Sequence, residues 1–160
     1  EESWDSIKVP SNKHQGEYAM RTPHSEKINL SAIGKYGTLS ELLKRNLSAS
    51  LESKRDNNII IKHADNSKSL AVVRTTRSDR FVTHFFDERY HDQSKPVSYW
   101  IFCRIDESNY SHYYILTHDE MDKIQTRMNS NIRQIPSGGV DCVNLQYIAD
   151  HENRWDLITG

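Results

Sequence analysis

The chain has 160 residues, a formal net charge of -1, 27% charged and 36% hydrophobic residues, and two cysteines. That length suits one hydrophobic core rather than two, and three Trp, eight Tyr and four Phe argue against a disordered chain. The near-zero charge removes the basic excess of a dedicated nucleic-acid coat, two cysteines are too few for a disulfide scaffold, and no apolar run approaches the ~20 residues of a membrane span. A soluble, cytoplasmic α/β domain is the expectation.

Residues 1–28 are polar, carry Pro10 and Pro23 and show no sustained period, so they read as an extended N-terminal arm, with Trp4, Ile7 and Val9 able to dock on the body. From residue 29 to 160 the texture is that of a folded domain. Leu30, Ile33, Leu39, Leu42, Leu43 and Leu47 recur near helical spacing, although Gly34 and Gly37 weaken the first turns. The helix is expected to be regular from Thr38 to Asn46. After the turn at 54–58, Ile59 to Ile61 form a β-branched run, HADNSK at 63–68 has hairpin-turn chemistry, and residues 69–76 read as the partner strand. Residues 80–86 are strand-like.

YWIFCRI at 99–105 is a nearly continuous apolar strand, as expected where both sheet faces are covered. Residues 110–116 pair with it across the turn DESN. In 117–128, Thr117 and Glu120 form a capping box and Met121, Ile124 and Met128 share one face, which predicts a helix. PSGG at 136–139 is a loop, 143–148 a short strand or turn, and 153–158 a closing segment. The whole reads as an α/β sandwich with a largely antiparallel central sheet.

Motif chemistry is sparse. His63 with Asp65, His112 with His118, and Asp150 with His151 are the compact His–acid groups, and none has zinc-type paired spacing. Cys103 sits inside an apolar strand and reads as a small buried hydrophobe; Cys142 has no recognisable base. The basic residues Lys44, Arg45, Lys54, Arg55, Arg74, Arg77 and Arg80 lie among Ser and Thr, which suits phosphate oxygens but equally suits an ordinary charged surface.

In order and spacing, AIGKYGTLSELLKRNL, NNIIIKHADNSKSLAVVRTTR, SYWIFCRIDESNYSHYYILTHDEM and NRWDLI resemble the PD-(D/E)XK nuclease-like superfamily. The nearest look is to small bacterial domains related to restriction endonucleases. The likeness covers roughly 30–158. It implies a restriction-endonuclease-like three-layer core, with a mixed, largely antiparallel sheet flanked by helices. It also implies a Mg²⁺ site built from carboxylates, with a Lys beside the attacked phosphodiester.

Carried over position by position, the helix acid falls on Lys35, the strand Asp on Asn58 or Ile59, the Glu or Gln on Val72, and the Lys on Arg74. Each departs from the pattern. Lys35 repels a divalent cation, Val72 offers no ligand, and the Arg74 guanidinium keeps its proton. The resemblance thus implies a degenerate nuclease that binds without cutting and needs no cofactor. DNA is its leading ligand, held by Lys35, Lys44, Arg45, Arg74, Arg77 and Arg80 in a defence, repair or mobile-element setting. Two alternatives stay open. One is a protein-interaction, accessory or immunity-type subunit, with a partner chain or a second copy. The other is an active Mg²⁺-dependent endonuclease using Asp56, Asp65 and Glu41.

Overall fold

The computed structural model describes residues 24–130 and 141–160, with side chains from Asn29 onward. Helix α1 (His24–Lys44) is followed by strands β1 (Ser48–Leu51), β2 (Asn58–Lys62), β3 (Lys68–Thr76), β4 (Arg80–Val82), β5 (Val97–Ile105) and β6 (Ser111–Thr117). Helix α2 (His118–Ser130), strand β7 (Cys142–Asn144) and a four-residue helix α3 (Asp156–Thr159) complete it, with 3-10 turns at Glu88–Tyr90, Leu145–Tyr147 and Ala149–His151.

Five strands make one sheet in the order β1-β2-β3-β5-β6; β3 and β5 run parallel and every other neighbouring pair is antiparallel. Strand alternation sorts the core into two layers. Val72, Trp100, Phe102, Tyr114 and Leu116 pack with Met121 and Met128 of α2. Ala71, Val73, Ile101, Cys103, Tyr113 and Ile115 pack with Leu42, Leu39 and Leu30 of α1. The two helices therefore cover opposite faces, and β5 is buried on both sides as its apolar run predicts. Truncating a residue such as Trp100 or Phe102, both fully buried, to alanine costs about 3–5 kcal/mol.

Local signals explain most boundaries. Thr117 Oγ1 accepts from the Glu120 N–H at 3.2 Å while Glu120 Oε1 accepts from the Thr117 N–H at 3.2 Å, so the capping box starts α2. Asp65 Oδ1 accepts from the Ser67 N–H at 2.9 Å and Asn66 takes φ 67°, which turns the β2–β3 hairpin. Asp106 does the same between β5 and β6, holding the Ser108 and Tyr110 N–H groups at 2.9 and 3.0 Å with Asn109 at φ 64°.

The structure departs from the sequence reading in three places. Helix α1 begins at His24, inside the stretch read as arm, and runs through Gly34 and Gly37 rather than becoming regular at Thr38. The glycines are there for proximity: a Cβ at Gly34 would collide with the Thr75 side chain, and one at Gly37 with the Tyr113 hydroxyl. Strand β1 was unforeseen, because Ser48–Leu51 carries a weak half-exposed pattern. Only Arg80–Val82 of the expected 80–86 strand is extended, and it pairs with β7 in a separate two-stranded sheet. The closing segment, whose form the sequence left open, ends in the short helix α3. Trp4, Ile7, Val9 and the PSGG loop lie outside the described residues. Among the described residues, no helix is long and apolar enough to cross a membrane.

Candidate functional site

The parallel pairing of β3 with β5 forces a crossover, residues 77–96, over the α2 face of the sheet. Strand β2 starts at Asn58, directly beside Val72, while β3 runs on to Thr76. Arg74, on the same face as Val72, therefore projects past the end of β2. The crossover and the β1–β2 turn close around it. Between these segments lies a cavity of about 340 Å³. Its walls are Arg55, Asp56 and Asn57 of the turn, Asn58 at the start of β2, Leu70 and Arg74 of β3, and Arg89, Tyr90, Asp92 and Lys95 of the crossover.

Arg74 is the pivot. Its Nε and Nη2 donate to the Thr83 carbonyl at 3.3 and 3.2 Å, Nη2 also donates to the Tyr90 hydroxyl, and the guanidinium lies 5.5 Å from the Tyr90 ring centre and 6.0 Å from that of Trp100. All of these partners are neutral. Among the described residues, no carboxylate forms an ion pair with Arg74, and Nη1 makes no hydrogen bond. Burial pushes the guanidinium below its ordinary range, and the Tyr90 oxygen opposes that shift. Thr83 is itself fixed from α2: its Oγ1 donates to the Gln125 side-chain carbonyl at 2.7 Å, and Gln125 Nε2 donates to the Cys142 carbonyl at 3.0 Å.

The other cations of the cavity differ in how far they are matched. Lys95 ion-pairs with Glu52, which also accepts from Asn58 Nδ2 at 2.8 Å. Arg89 meets Asp87 at 3.2 Å and lies over the Tyr90 ring at 5.0 Å. The Arg55 side chain has no ion pair or hydrogen bond among the described residues. The two acids of the lining are held by their own turns: Asp56 accepts from Ser53 Oγ at 2.9 Å, and Asp92 accepts from Ser94 Oγ and N–H at 2.7 and 2.9 Å. The Ser94 bonds keep the Asp92 carboxyl below the usual range.

The structure divides the residues singled out in the sequence. Asn58 and Arg74 share the cavity, and Val72 lies fully buried beside them in the core. Lys35 is buried too, its Nζ donating to the Lys54 carbonyl at 3.1 Å, on the α1 side of the same turn. Arg77 and Arg80 are exposed beyond the end of β3, with Arg77 donating to Asn109 Oδ1 at 3.0 Å.

Lys44 and Arg45 belong elsewhere. Both bind Glu41, at 3.4 and 2.7 Å, and Arg45 lies 4.4 Å from the Trp155 ring centre, near the end of β2 remote from Asn58. Glu41 is committed to those pairs, with Arg45 holding its carboxyl below the usual range, and Asp65 is committed to its hairpin turn. Neither joins Asp56 at the cavity.

The histidines do structural work. His112 sits between Asp106 and Glu152 at 2.8 and 3.2 Å, His151 meets Glu120 at 2.6 Å, and His118 Nδ1 accepts from Trp100 Nε1 at 3.1 Å. The Cys103 thiol, fully buried, is pushed up to about 11 by burial.

Thr83, Tyr90, Arg89, Lys95 and Glu52 went unnoticed in the sequence. Only the spacing DERY, an Asp87 capping a one-turn helix that presents Tyr90, offered a local signal.

Comparison with family models, with curated proteins and with solved structures finds no match.

Proposed function

We propose that this domain is a restriction-endonuclease-like fold that has lost cleavage and acts by binding nucleic acid, DNA in the first place, at the Arg74 cavity. One observation carries the reading: a half-buried guanidinium whose partners are a carbonyl, a phenol and two ring faces, with no carboxylate ion pair among the described residues. A charge partly withdrawn from water is favoured by an ionic partner, since desolvation penalises the unpaired charged form. A phosphate oxygen supplies the missing charge, and Arg is the side chain best shaped to take it. Arg55 adds a second uncommitted cation, and Arg77 and Arg80 extend positive charge outward from the same end of β3.

The loss of cleavage rests on donor chemistry. Where the resembled family needs carboxylates for Mg²⁺, the side chains are an apolar Val72, an Asn58 amide bonded to Glu52, and a Lys35 ammonium. The carboxylate closest to Asn58, Glu52, is ion-paired with Lys95. This set does not fit a divalent cation. Among the described residues, no three His, Cys, Asp or Glu side chains group as metal ligands.

The test is a pair of measurements on the full chain. Duplex DNA binding at low salt should be measurable and should weaken at least tenfold in Arg74→Gln; no affinity, or affinity indifferent to Arg74 and Arg55, ends the proposal. Supercoiled plasmid incubated with Mg²⁺ or Mn²⁺ should stay intact. Nicking abolished by Asp56→Ala would make the protein an active endonuclease instead.

A second reading has its own observation. Ile33, Tyr36 and Leu43 of α1 are 41%, 53% and 51% exposed and fall on one helical face, a stripe suited to a protein partner. A stoichiometric partner lost on Tyr36→Ser with Leu43→Ser would favour that reading.

A further inference from the structure

We infer that His118 is a proton-sensitive latch on the crossover: while neutral it accepts the Trp100 indole N–H and holds Phe85 and Tyr90 against the sheet, and on taking a proton it lets that side of the cavity loosen. The latch acts on the crossover whatever ligand the cavity takes, and so goes beyond the binding role proposed above.

Trp100 stands at the centre of the contact. It is fully buried on β5, and its ring lies 5.4 Å from that of Phe85 and 5.1 Å from that of Tyr90, two of the buried aromatic side chains by which the crossover sits on the sheet. The same ring lies 6.0 Å from the Arg74 guanidinium. An indole N–H only donates, and here it donates to His118 Nδ1 at 3.1 Å. That nitrogen therefore holds a lone pair, and the ring is neutral with its proton on Nε2. Phe85 also lies on the His118 ring, 5.2 Å away and 30° from parallel. His118 thus touches the sheet through Trp100 and the crossover through Phe85.

A second proton goes to Nδ1, the atom that accepts from Trp100. Two N–H groups then point at one another. Trp100 is fully buried and cannot turn its N–H to water, so the His118 ring must move, and its stack on Phe85 moves with it. A buried donor left without an acceptor costs more than the cation–π contact that a charged ring gains on Phe85.

The surrounding charges favour the neutral ring. Burial, and then His91, hold His118 below the ordinary histidine range, while Asp122 and Asp119 of its own helix oppose that shift without reversing it. His91 comes from the crossover: its ring is 5.5 Å from that of His118, and its Nε2 bonds to the Phe85 carbonyl at 2.7 Å. Glu120, the other acid of the first turn, is engaged by His151 and Thr117. His118 is also the first residue of α2, an end that disfavours a cation. The latch is therefore closed above about pH 6.5 and opens as pH falls through the lower folded value.

Hydrogen exchange followed by NMR on the full chain, from about pH 8 to pH 5 and corrected for the intrinsic rate at each pH, tests the latch. The Phe85 N–H, bonded to Thr83 Oγ1 at 3.2 Å, and the Tyr90 N–H, bonded to the Asp87 carbonyl at 3.1 Å, report the crossover. The amides of Ile101 and Phe102 report the sheet. The Trp100 indole N–H signal reports His118. Crossover protection should fall at least about fivefold on acidification, the smallest effect expected of an orphaned buried donor. The fall should share its midpoint with the indole signal while the sheet amides stay protected. His118→Asn supplies an acceptor that does not titrate and should abolish the acid loss. Protection that is constant with pH, that falls with a different midpoint from the indole, or that falls together with the sheet overturns the latch. An acid loss that persists in His118→Asn overturns it too. The midpoint comparison needs no variant, so a misfolded His118→Asn does not hide the outcome. No DNA enters these measurements, so their failure leaves the nucleic-acid reading standing, and failure of that reading leaves the latch standing.

Discussion

Arg74 and Tyr90 hold each other: the guanidinium donates to the phenol oxygen and lies over the ring, and the Tyr90 side chain is buried by the contact. The pair joins the end of β3 to the one-turn helix of the crossover. Tyr90→Phe keeps the ring and removes the acceptor. The expected loss is about 1.5–3 kcal/mol, the range for a hydrogen bond to a charged group. Urea denaturation measures it, and a loss below ~0.5 kcal/mol would show that the hydroxyl is not holding Arg74.

Salt dependence separates the two basic groups. Each phosphate contact contributes close to one to the slope of log affinity against log salt. Arg55→Ala should make the slope shallower by about one. Lys44→Ala and Arg45→Ala should leave it unchanged, because those cations are occupied by Glu41 and Trp155 away from the cavity.

Two histidines give opposite pH responses. The Asp106 and Glu152 carboxylates raise His112, so its folded form is the better base. The stability it adds is complete below about pH 6.5 and disappears as pH rises through its folded value. His118 is lowered, first by burial and then by His91. Its Nδ1 accepts from Trp100, which requires the neutral ring, so its contribution is present above about pH 6.5 and lost as pH falls through its folded value. Asp119 and Asp122 temper this shift. His112→Gln should flatten the alkaline decline and His118→Gln the acid decline, read as urea midpoints across the pH range. A decline on either side that survives its replacement assigns it to another group.

Gly34 poses a question of sign. In an open helix, Gly→Ala gains about 1 kcal/mol. Here the added Cβ meets Thr75, and overpacking of that kind costs about 1–3 kcal/mol. Gly34→Ala should therefore lower the thermal midpoint, and adding Thr75→Ala should recover part of the loss. A stabilised single variant would mean that α1 can lift from the sheet.

Cys103 tests the core directly. With its thiol held up to about 11 and fully buried, it should resist alkylation until the chain unfolds. Labelling in native buffer at the rate of free cysteine would contradict the packing of β5 against α1.

Much of the scaffold was legible because its signals are local. The capping box of Thr117 and Glu120, the Asp65–Asn66 turn, and the unbroken apolar run of β5 each act within a few residues. Strand β1 and the 80–86 stretch were not, since Ser48–Leu51 is recognisable only beside β2 and Phe81 only as part of the core under α2.

The sequence alone determined the α/β character, where most strands and α2 lie, and that Lys35, Asn58 and Val72 stand where the resemblance calls for acidic or amide groups and Arg74 where it calls for a lysine. Tertiary structure decided what those positions do. It buried Lys35 on a carbonyl and Val72 in the core, bound Lys44 and Arg45 to Glu41, and left Arg74 without an ionic partner at a cavity. A charge's role depends on which groups surround it in space, and a crossover of twenty residues between β3 and β5 brought Thr83, Tyr90 and Arg89 to Arg74 where no spacing rule could place them.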